Sequence, residues 1–443
     1  MNLANEIDHN LNMTMRRSYA NFFKIRNKQS DVTSLFSNAL SIEFLSKTRK
    51  FTTSSRALNQ HIGADLHHDI KNSITSLCSH FPGKYWQELE KGNQYPSEFV
   101  MAMQESGFLS VLIPQEYGGS GLGLKAATVV LEEIHRNGCN ASAVHAQMYT
   151  MGSILHSGTI EQKERYLPQI AKGKLRLQAF GVTESNSGSD TLSLKTTAVQ
   201  DDKGDWLITG SKLWTSRAKY SDMMLLLART GDGSGSRLDQ LTTFLVDMRE
   251  QSGLEIQPID TMINHSTTAV YFENVRVPKE NVIGRVGGGF RTILQGMNVE
   301  RVLIAAECIG DGRYFVDNAT KYASERVIFG RPIGQNQGVQ FPIAQAYCDL
   351  EAASLMVDKA ASKYDAGDHD IGAEANISKY LAAEASFKCG DICIQTFGGF
   401  GFAKEYDIER KFRETRLYRI APISTNLILS YVGEKLLGMP RSY

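Results

Sequence analysis

The sequence predicts an α+β protein in which a helical domain, an antiparallel β domain and a second helical bundle follow one another along the chain. Three observations predict it. From about residue 61 to 178 apolar residues recur at three- and four-residue spacings; from 179 to 285 they alternate with polar ones; from 286 onward the helical spacing returns. With 443 residues the chain can hold two or three domains around a large buried core.

Composition removes several function classes. Lysine and arginine total 48, as do aspartate and glutamate, so no charge excess points to nucleic acid or to an anionic membrane surface. No apolar run approaches the ~20 residues that span a bilayer. The six cysteines are scattered and read as packing thiols, and neither they nor the ten histidines form a metal-binding spacing.

Residues 1–60 do not read as part of a folded domain. Arg16, Arg17, Lys24, Arg26, Lys47, Arg49, Lys50 and Arg56 are spread among Ser, Thr, Asn and Phe, with few acids. That composition predicts an organellar transit peptide, hence the mitochondrial matrix; Glu6 and Asp8 favour the alternative, a disordered tail. Between 61 and 178, FVMAMQESGFL and ATVVLEEIHRNG predict helices around a loop, IPQEYGGSGLG, broken by four glycines. From 179 to 285, KTTAVQ, DWLITG, MMLLLART, TTFLVDM and AVYFENVRV predict strands, the first two joined by a turn at Asp202, Lys203 and Gly204. Runs over roughly 286–327, 338–366, 371–397 and 423–437 predict the closing helices.

The chain is organised around Gly287–Gly310. Phe290, Ile293, Leu294, Met297, Ile304 and Ile309 mark an apolar stripe, and Glu300 falls on it. A carboxylate among apolar side chains is desolvated unless paired, so it either meets a basic group on a neighbouring helix or serves chemistry such as proton abstraction.

Three further segments carry unusual combinations. In Phe180-Gly-Val-Thr-Glu-Ser-Asn-Ser-Gly-Ser-Asp190 the backbone N–H groups and the hydroxyls of Thr183 and Ser189 suit a diphosphate or the polar edge of a ring. Trp214-Thr-Ser216 offers an aromatic that could stack on a flavin and a hydroxyl for a ring nitrogen. Arg326-Val-Ile-Phe-Gly-Arg-Pro-Ile, running on to Gln337, is followed by Gln395-Thr-Phe-Gly-Gly-Phe-Gly-Phe402, although Gly398 and Gly399 also suit a helix end.

Taken in order, these segments resemble the acyl-CoA dehydrogenase family of flavoproteins over about residue 65 to the C-terminus. The resemblance implies a C-terminal four-helix bundle, FAD between β domain and bundle, and a homotetramer or homodimer. By position Phe180, Val182, Thr183 and Ser189 would line the cofactor, Trp214 would cover the isoalloxazine and Ser216 would face N5. Arg326, Phe329, Gln337, Gln395, Gly398 and Gly399 would reach FAD across a subunit interface, with Ser424 and Asn426 as further contacts. Most of the family carry the base near the C-terminus, where this chain has Pro422. A branch that includes isovaleryl-CoA and long-chain dehydrogenases carries it on the helix after the β domain, before an arginine, as Glu300-Arg301 stand here. The resemblance therefore implies Glu300 as base, Glu307 as second choice, and Ser189, Asn298 and Arg301 near the acyl-CoA. It implies removal of the α-proton and hydride transfer from the β carbon to the flavin, giving a trans-2-enoyl-CoA, with an electron-transfer flavoprotein as acceptor. Pro422 has no N–H to stabilise the thioester oxygen, so either Ile423 N–H serves instead or the chemistry is slower or different. The rival expectations are an oxidase or monooxygenase on the same fold and a non-catalytic flavin or acyl-CoA scaffold.

Overall fold

A computed structural model describes residues 56–441 apart from Asp232 and Glu250, and side chains from Asp65 onward. The predicted transit segment lies outside the described residues, save for its last turn. Arg56 already begins helix α1 (Arg56–Cys78), followed by α2 (Gly83–Lys91), α3 (Ser97–Glu105), α4 (Gly123–Arg136), α5 (Ser142–Ser157) and α6 (Ile160–Ala171). The cap of α6 is local: Thr159 and Gln162 form a reciprocal capping box. That of α4 is supplied from far along the chain, the carboxylate of Asp365 accepting from Leu124 N (2.7 Å) and Lys125 N (2.8 Å).

The middle of the chain forms β1 (Leu177–Gly181), β2 (Thr197–Gln200), β3 (Trp206–Ser216), β4 (Met223–Arg229), β5 (Leu241–Asp247), β6 (Leu254–Pro258), β7 (Thr267–Val277) and β8 (Val282–Ile283). They pair in the order β6-β7-β3-β2-β4-β5-β8, with β1 on β4. Antiparallel pairing dominates, and the expected β2–β3 hairpin is present with Gln200 opposite Trp206. Two pairings differ from expectation: β1 and β2 meet β4 in parallel. β1 enters directly from the helical domain and reaches β4 by a crossover, which a tight hairpin cannot provide. One face of the sheet buries Trp206, Phe244, Val246, Phe272 and Val275, each such side chain contributing about 1.5–3 kcal/mol of burial.

Helix α7 (Gly289–Glu325) then runs 37 residues. Every residue from Val299 to Gly312 is buried, because α4 and α5, together with α8 (Gln337–Asp365) and α9 (Gly372–Phe397), all pack on α7. Two glycines permit that crowding: a Cβ at Gly310 would lie 2.2 Å from Glu132 O, and at Gly312 2.4 Å from Leu350 Cδ1. A small hairpin of β9 (Val327–Ile328) and β10 (Arg331–Pro332) joins α7 to α8, and α10 (Ile408–Tyr418) and α11 (Thr425–Tyr431) end the bundle. Among the described residues no helix is long and apolar enough to cross a membrane. Cys78, Cys139, Cys308, Cys389 and Cys393 are buried free thiols, whereas Cys348 is exposed.

Candidate active site

Backbone pairing brings the first two motifs together. Leu213 N, one residue before Trp214, donates to Thr183 O at 2.8 Å. Beneath them lies a buried ion pair: Lys212 Nζ donates to Val182 O (3.1 Å) and to Glu184 Oε1 (2.9 Å), while the Glu184 carboxylate also accepts from Lys195 N and Thr196 N. The two ends respond oppositely to burial. Desolvation wins at Lys212, bringing it down to about 8. At Glu184 burial pushes the other way, but Lys212 and the backbone donors hold the carboxyl below its usual range. The pair fixes the shape of the loop over 182–190. On that frame Trp214 is 56 % exposed at φ 61°, and Ser189 is exposed. An indole held out by a left-handed backbone is a surface awaiting a planar partner.

Phe180 and Val182 continue inward to Phe290, Ile293 and Met297 at the start of α7. Phe180 stands edge-on to Tyr149 at 5.5 Å. Glu300 lies beyond, 5 % exposed, its Oε2 without a hydrogen bond. Burial pushes its carboxyl up to about 7; His145, Arg301 and Lys379 oppose that rise and Glu307 adds to it. No ion pair neutralises Glu300 among the described residues. Arg301, also buried, instead donates through Nη1 to Asn298 Oδ1 at 2.7 Å, linking the two residues expected near the acyl-CoA. Leu294, read as part of the stripe, is 39 % exposed, so the buried face shifts as neighbouring helices close in beyond Met297.

Glu307 is placed differently from Glu300. His145 Nδ1 lies 3.1 Å from its Oε1 and His135 Nε2 3.8 Å from its Oε2. Burial would raise it, but these imidazoles hold it below the ordinary carboxylate range. Unlike Glu300 it faces two imidazoles, although its Oε1 makes no well-formed hydrogen bond.

Sequence reasoning missed what lies behind it. Helix α10 carries Arg410, Lys411 and Glu414 into the interior. Lys411 Nζ is 2.6 Å from Asp311 Oδ1 and 2.7 Å from Glu414 Oε2, and it donates to Cys139 O. His135, Asp311 and Glu414 would otherwise offer three metal ligands; the ammonium fills the space between them. A helix so rich in charge reads as solvated, and the only signal against that is the acidic partner two helices away.

The third motif forms a second cluster. Arg326 stacks over Phe400, its guanidinium carbon 5.8 Å from the ring centroid, so the segment after α7 meets the Gly398–Phe402 turn. Phe329 is fully exposed at φ 53°, and Gln337, Gln395, Gly398 and Gly399 are exposed beside open space or solvent. Ser424 caps α11 by accepting from Leu427 N (3.3 Å), and Asn426 is exposed on its first turn. Before them Lys379 Nζ donates to Ile423 O at 2.7 Å, tying the Pro422 loop to α9.

A polar loop beside an uncovered indole, and a buried carboxylate without an ion pair, suit an enzyme that holds a planar cofactor and moves a proton. Comparison with known proteins identifies which. Family models match end to end: "Acyl-CoA dehydrogenase, N-terminal domain" over residues 65–174, "middle domain" over 179–275 and "C-terminal domain" over 287–437. An acyl-CoA dehydrogenase of Mycobacterium tuberculosis is 34% identical over 379 residues, 84% of this chain and 96% of that one. The glutaryl-CoA dehydrogenase of Desulfococcus multivorans is 34% identical over 386 residues, covering 85% and 97%. A solved glutaryl-CoA dehydrogenase in complex with glutaryl-CoA superimposes with a TM-score of 0.79 at 30% identity, covering 88% of this chain and 98% of that one. Butyryl-CoA dehydrogenase from Megasphaera elsdenii gives 0.77 at 27%, covering 83% and 98%. The chain belongs to the acyl-CoA dehydrogenase family, whose members are FAD-dependent oxidoreductases.

Proposed function

We propose that this chain oxidises an acyl-CoA thioester to its trans-2-enoyl-CoA with Glu300 as the base. One observation carries the reading: a carboxylate buried on α7 with a free oxygen, brought up to about 7, next to the Tyr149–Phe180 ledge that leads to the cofactor loop. A base poised near the working pH combines adequate ionisation with adequate proton affinity. Arg301 and Lys379 keep an ionised fraction available despite burial.

The residues present fit FAD. Phe180, Val182, Thr183, Ser189, Trp214 and Ser216 would hold it from the β domain, where the Trp214 indole is exposed. FAD supplies the hydride acceptor. Around it, this chain binds and orients the acyl group through Ser189, Asn298 and Arg301, and excludes water with the packed α5–α7 layer. Ile423 N–H takes the donor role that Pro422 cannot fill, in a loop steadied by Lys379.

Arg326, Phe329, Gln337, Gln395, Gly398, Gly399, Ser424 and Asn426 contact FAD of a second copy in a homodimer or homotetramer. The support is the fully exposed Phe329, with Val327, Phe341 and Phe402 also turned outward, since exposed apolar groups gathered on one surface mark interaction sites. An electron-transfer flavoprotein is the acceptor, as the family membership suggests. The mitochondrial matrix remains the compartment that the composition of residues 1–60 supports, the relatives named above being bacterial.

Anaerobic mixing of the FAD-loaded protein with a panel of acyl-CoAs tests the reading, beginning with butyryl-CoA and glutaryl-CoA. Bleaching of the flavin with formation of the enoyl thioester is expected, and Glu300→Gln is expected to stay yellow. Binding without bleaching across the panel would leave a scaffold; stoichiometric hydrogen peroxide in air would make it an oxidase.

A further inference from the structure

Among the described residues, the buried guanidinium of Arg217 makes neither a hydrogen bond nor an ion pair. Arg217 follows Ser216 at the end of β3, 6 % exposed and at φ 60°. Its backbone is fixed locally: the N–H donates to Ser266 O (2.9 Å), and the carbonyl accepts from Tyr220 N (3.0 Å) and Ser221 Oγ (2.9 Å). The side chain is thus held inside by the turn while its five N–H donors go unanswered. A charge buried in that way is unfavourable unless something pairs with it.

The space beside it is a cavity. Trp86 of α2, Tyr95, Asn140, Ser142 at the start of α5 and His265 line it with Arg217, around about 30 Å³ of open volume. That is room for about two water-sized atoms, the size of the two oxygens of a carboxylate. The other charges on its wall are already matched. Glu90 accepts from Arg413 at 2.6 and 2.8 Å. Glu414 lies 2.9 Å from Arg410 and 2.7 Å from Lys411, and Arg410 is also 2.6 Å from Asp407. Burial and then the Arg217 charge push His265 down to about 3, so that imidazole is neutral. Glu307 on α7 acts on Arg217 through space without pairing with it. Asn140 Oδ1 accepts from Ser142 N at 2.9 Å, which leaves its amide nitrogen as a second donor for a ligand.

The cavity adjoins the site described above. Arg217 comes directly after Ser216, one of the residues that would hold the cofactor. Ser142 opens the helix that carries Tyr149 two turns later, where the Phe180 ring stands edge-on at 5.5 Å.

From this geometry we infer that Arg217 receives a carboxylate at the far end of the acyl group, so that the substrates are CoA monothioesters of dicarboxylic acids. A planar guanidinium takes a carboxylate through two parallel N–H···O bonds. An alkyl terminus would leave the same charge unanswered, and a site built that way rejects it. Arg217 is then a specificity-determining residue. The inference rests on the acyl-CoA oxidation proposed above and goes beyond it by naming the acyl class.

The test compares glutaryl-CoA with pentanoyl-CoA, which has the same number of acyl carbons, on the FAD-loaded protein. Wild type is expected to favour glutaryl-CoA in kcat/KM for anaerobic flavin bleaching. Arg217→Met should lower the ratio of the two kcat/KM values about ten- to a hundredfold, as loss of a hydrogen bond to a charged group does. Arg217→Lys keeps the charge and should retain part of the preference. Calorimetric binding of both thioesters to the Glu300→Gln protein reads the same preference without turnover. A wild-type ratio near one, or a ratio that Arg217→Met leaves unchanged, overturns the inference even if both thioesters bleach the flavin. Binding of free glutarate with no discrimination between the thioesters overturns it too, by putting the carboxylate on a separate ligand. Failure of both thioesters to bleach, with the binding preference intact, would overturn the proposed oxidation and leave the carboxylate site standing.

Discussion

Glu300 is held against a carboxylate's ordinary preference for water, and that has a consequence outside catalysis. Its folded-state value of about 7 lies above the ordinary glutamate value of 4.5, so the folded chain binds the proton more tightly than the unfolded one. The contribution is fully favourable below about pH 4.5 and is lost as pH rises to about 7. Above that range the ionised side chain is a liability on the order of 3 kcal/mol. Glu300→Gln should therefore raise the melting temperature at pH 8 and change it little at pH 5; equal effects at both would mean that the carboxyl titrates normally. The residue was legible in the sequence, because an acid on an apolar stripe is a visible contradiction. Its freedom from ion pairing was not, since that depends on Arg301 turning to Asn298 and on His145 and His135 engaging Glu307.

At the scale of elements, α7 is held by contacts on all sides, and the charged helix α10 is its least obvious support. Lys411 fills a site made by Asp311 on α7 and Glu414 on its own helix, with His135 of α4 3.1 Å away. Burial alone would lower the ammonium, but these carboxylates hold it above the usual lysine value. Lys411→Met removes one charge and strands two, and should cost about 3–5 kcal/mol in urea denaturation; a loss below about 1 kcal/mol would show that water enters to replace the ammonium. Glu184→Gln is the counterpart in the β domain. It should free the loop over 182–190 and weaken FAD retention several-fold while the fold persists, as read by flavin absorbance after gel filtration. Periodicity revealed the long helices and the strands β2, β3, β4, β5 and β7. It missed α10, whose Glu-Arg-Lys-Phe-Arg-Glu run looks solvated, and it missed β1, β6 and the two-residue β8.

For the whole molecule, the succession of helical, β and helical segments was legible because each changes the spacing of apolar residues for a hundred residues or so. The parallel entry of β1 was not, since strand direction depends on a crossover that local pattern does not encode. Phe329 on the β9–β10 hairpin and Phe400 and Phe402 on the turn after α9 are exposed. Phe329→Asp should dissociate the assembly and release FAD together, measured by sedimentation and flavin absorbance; loss of neither would remove the hairpin from the interface.

Single-turnover bleaching by an acyl-CoA, followed from about pH 5 to about pH 9, tests the central claim most directly. The account predicts a rate that rises with pH through a midpoint near 7 and vanishes in Glu300→Gln. A rate that ignores pH, or survives in that variant, would contradict it.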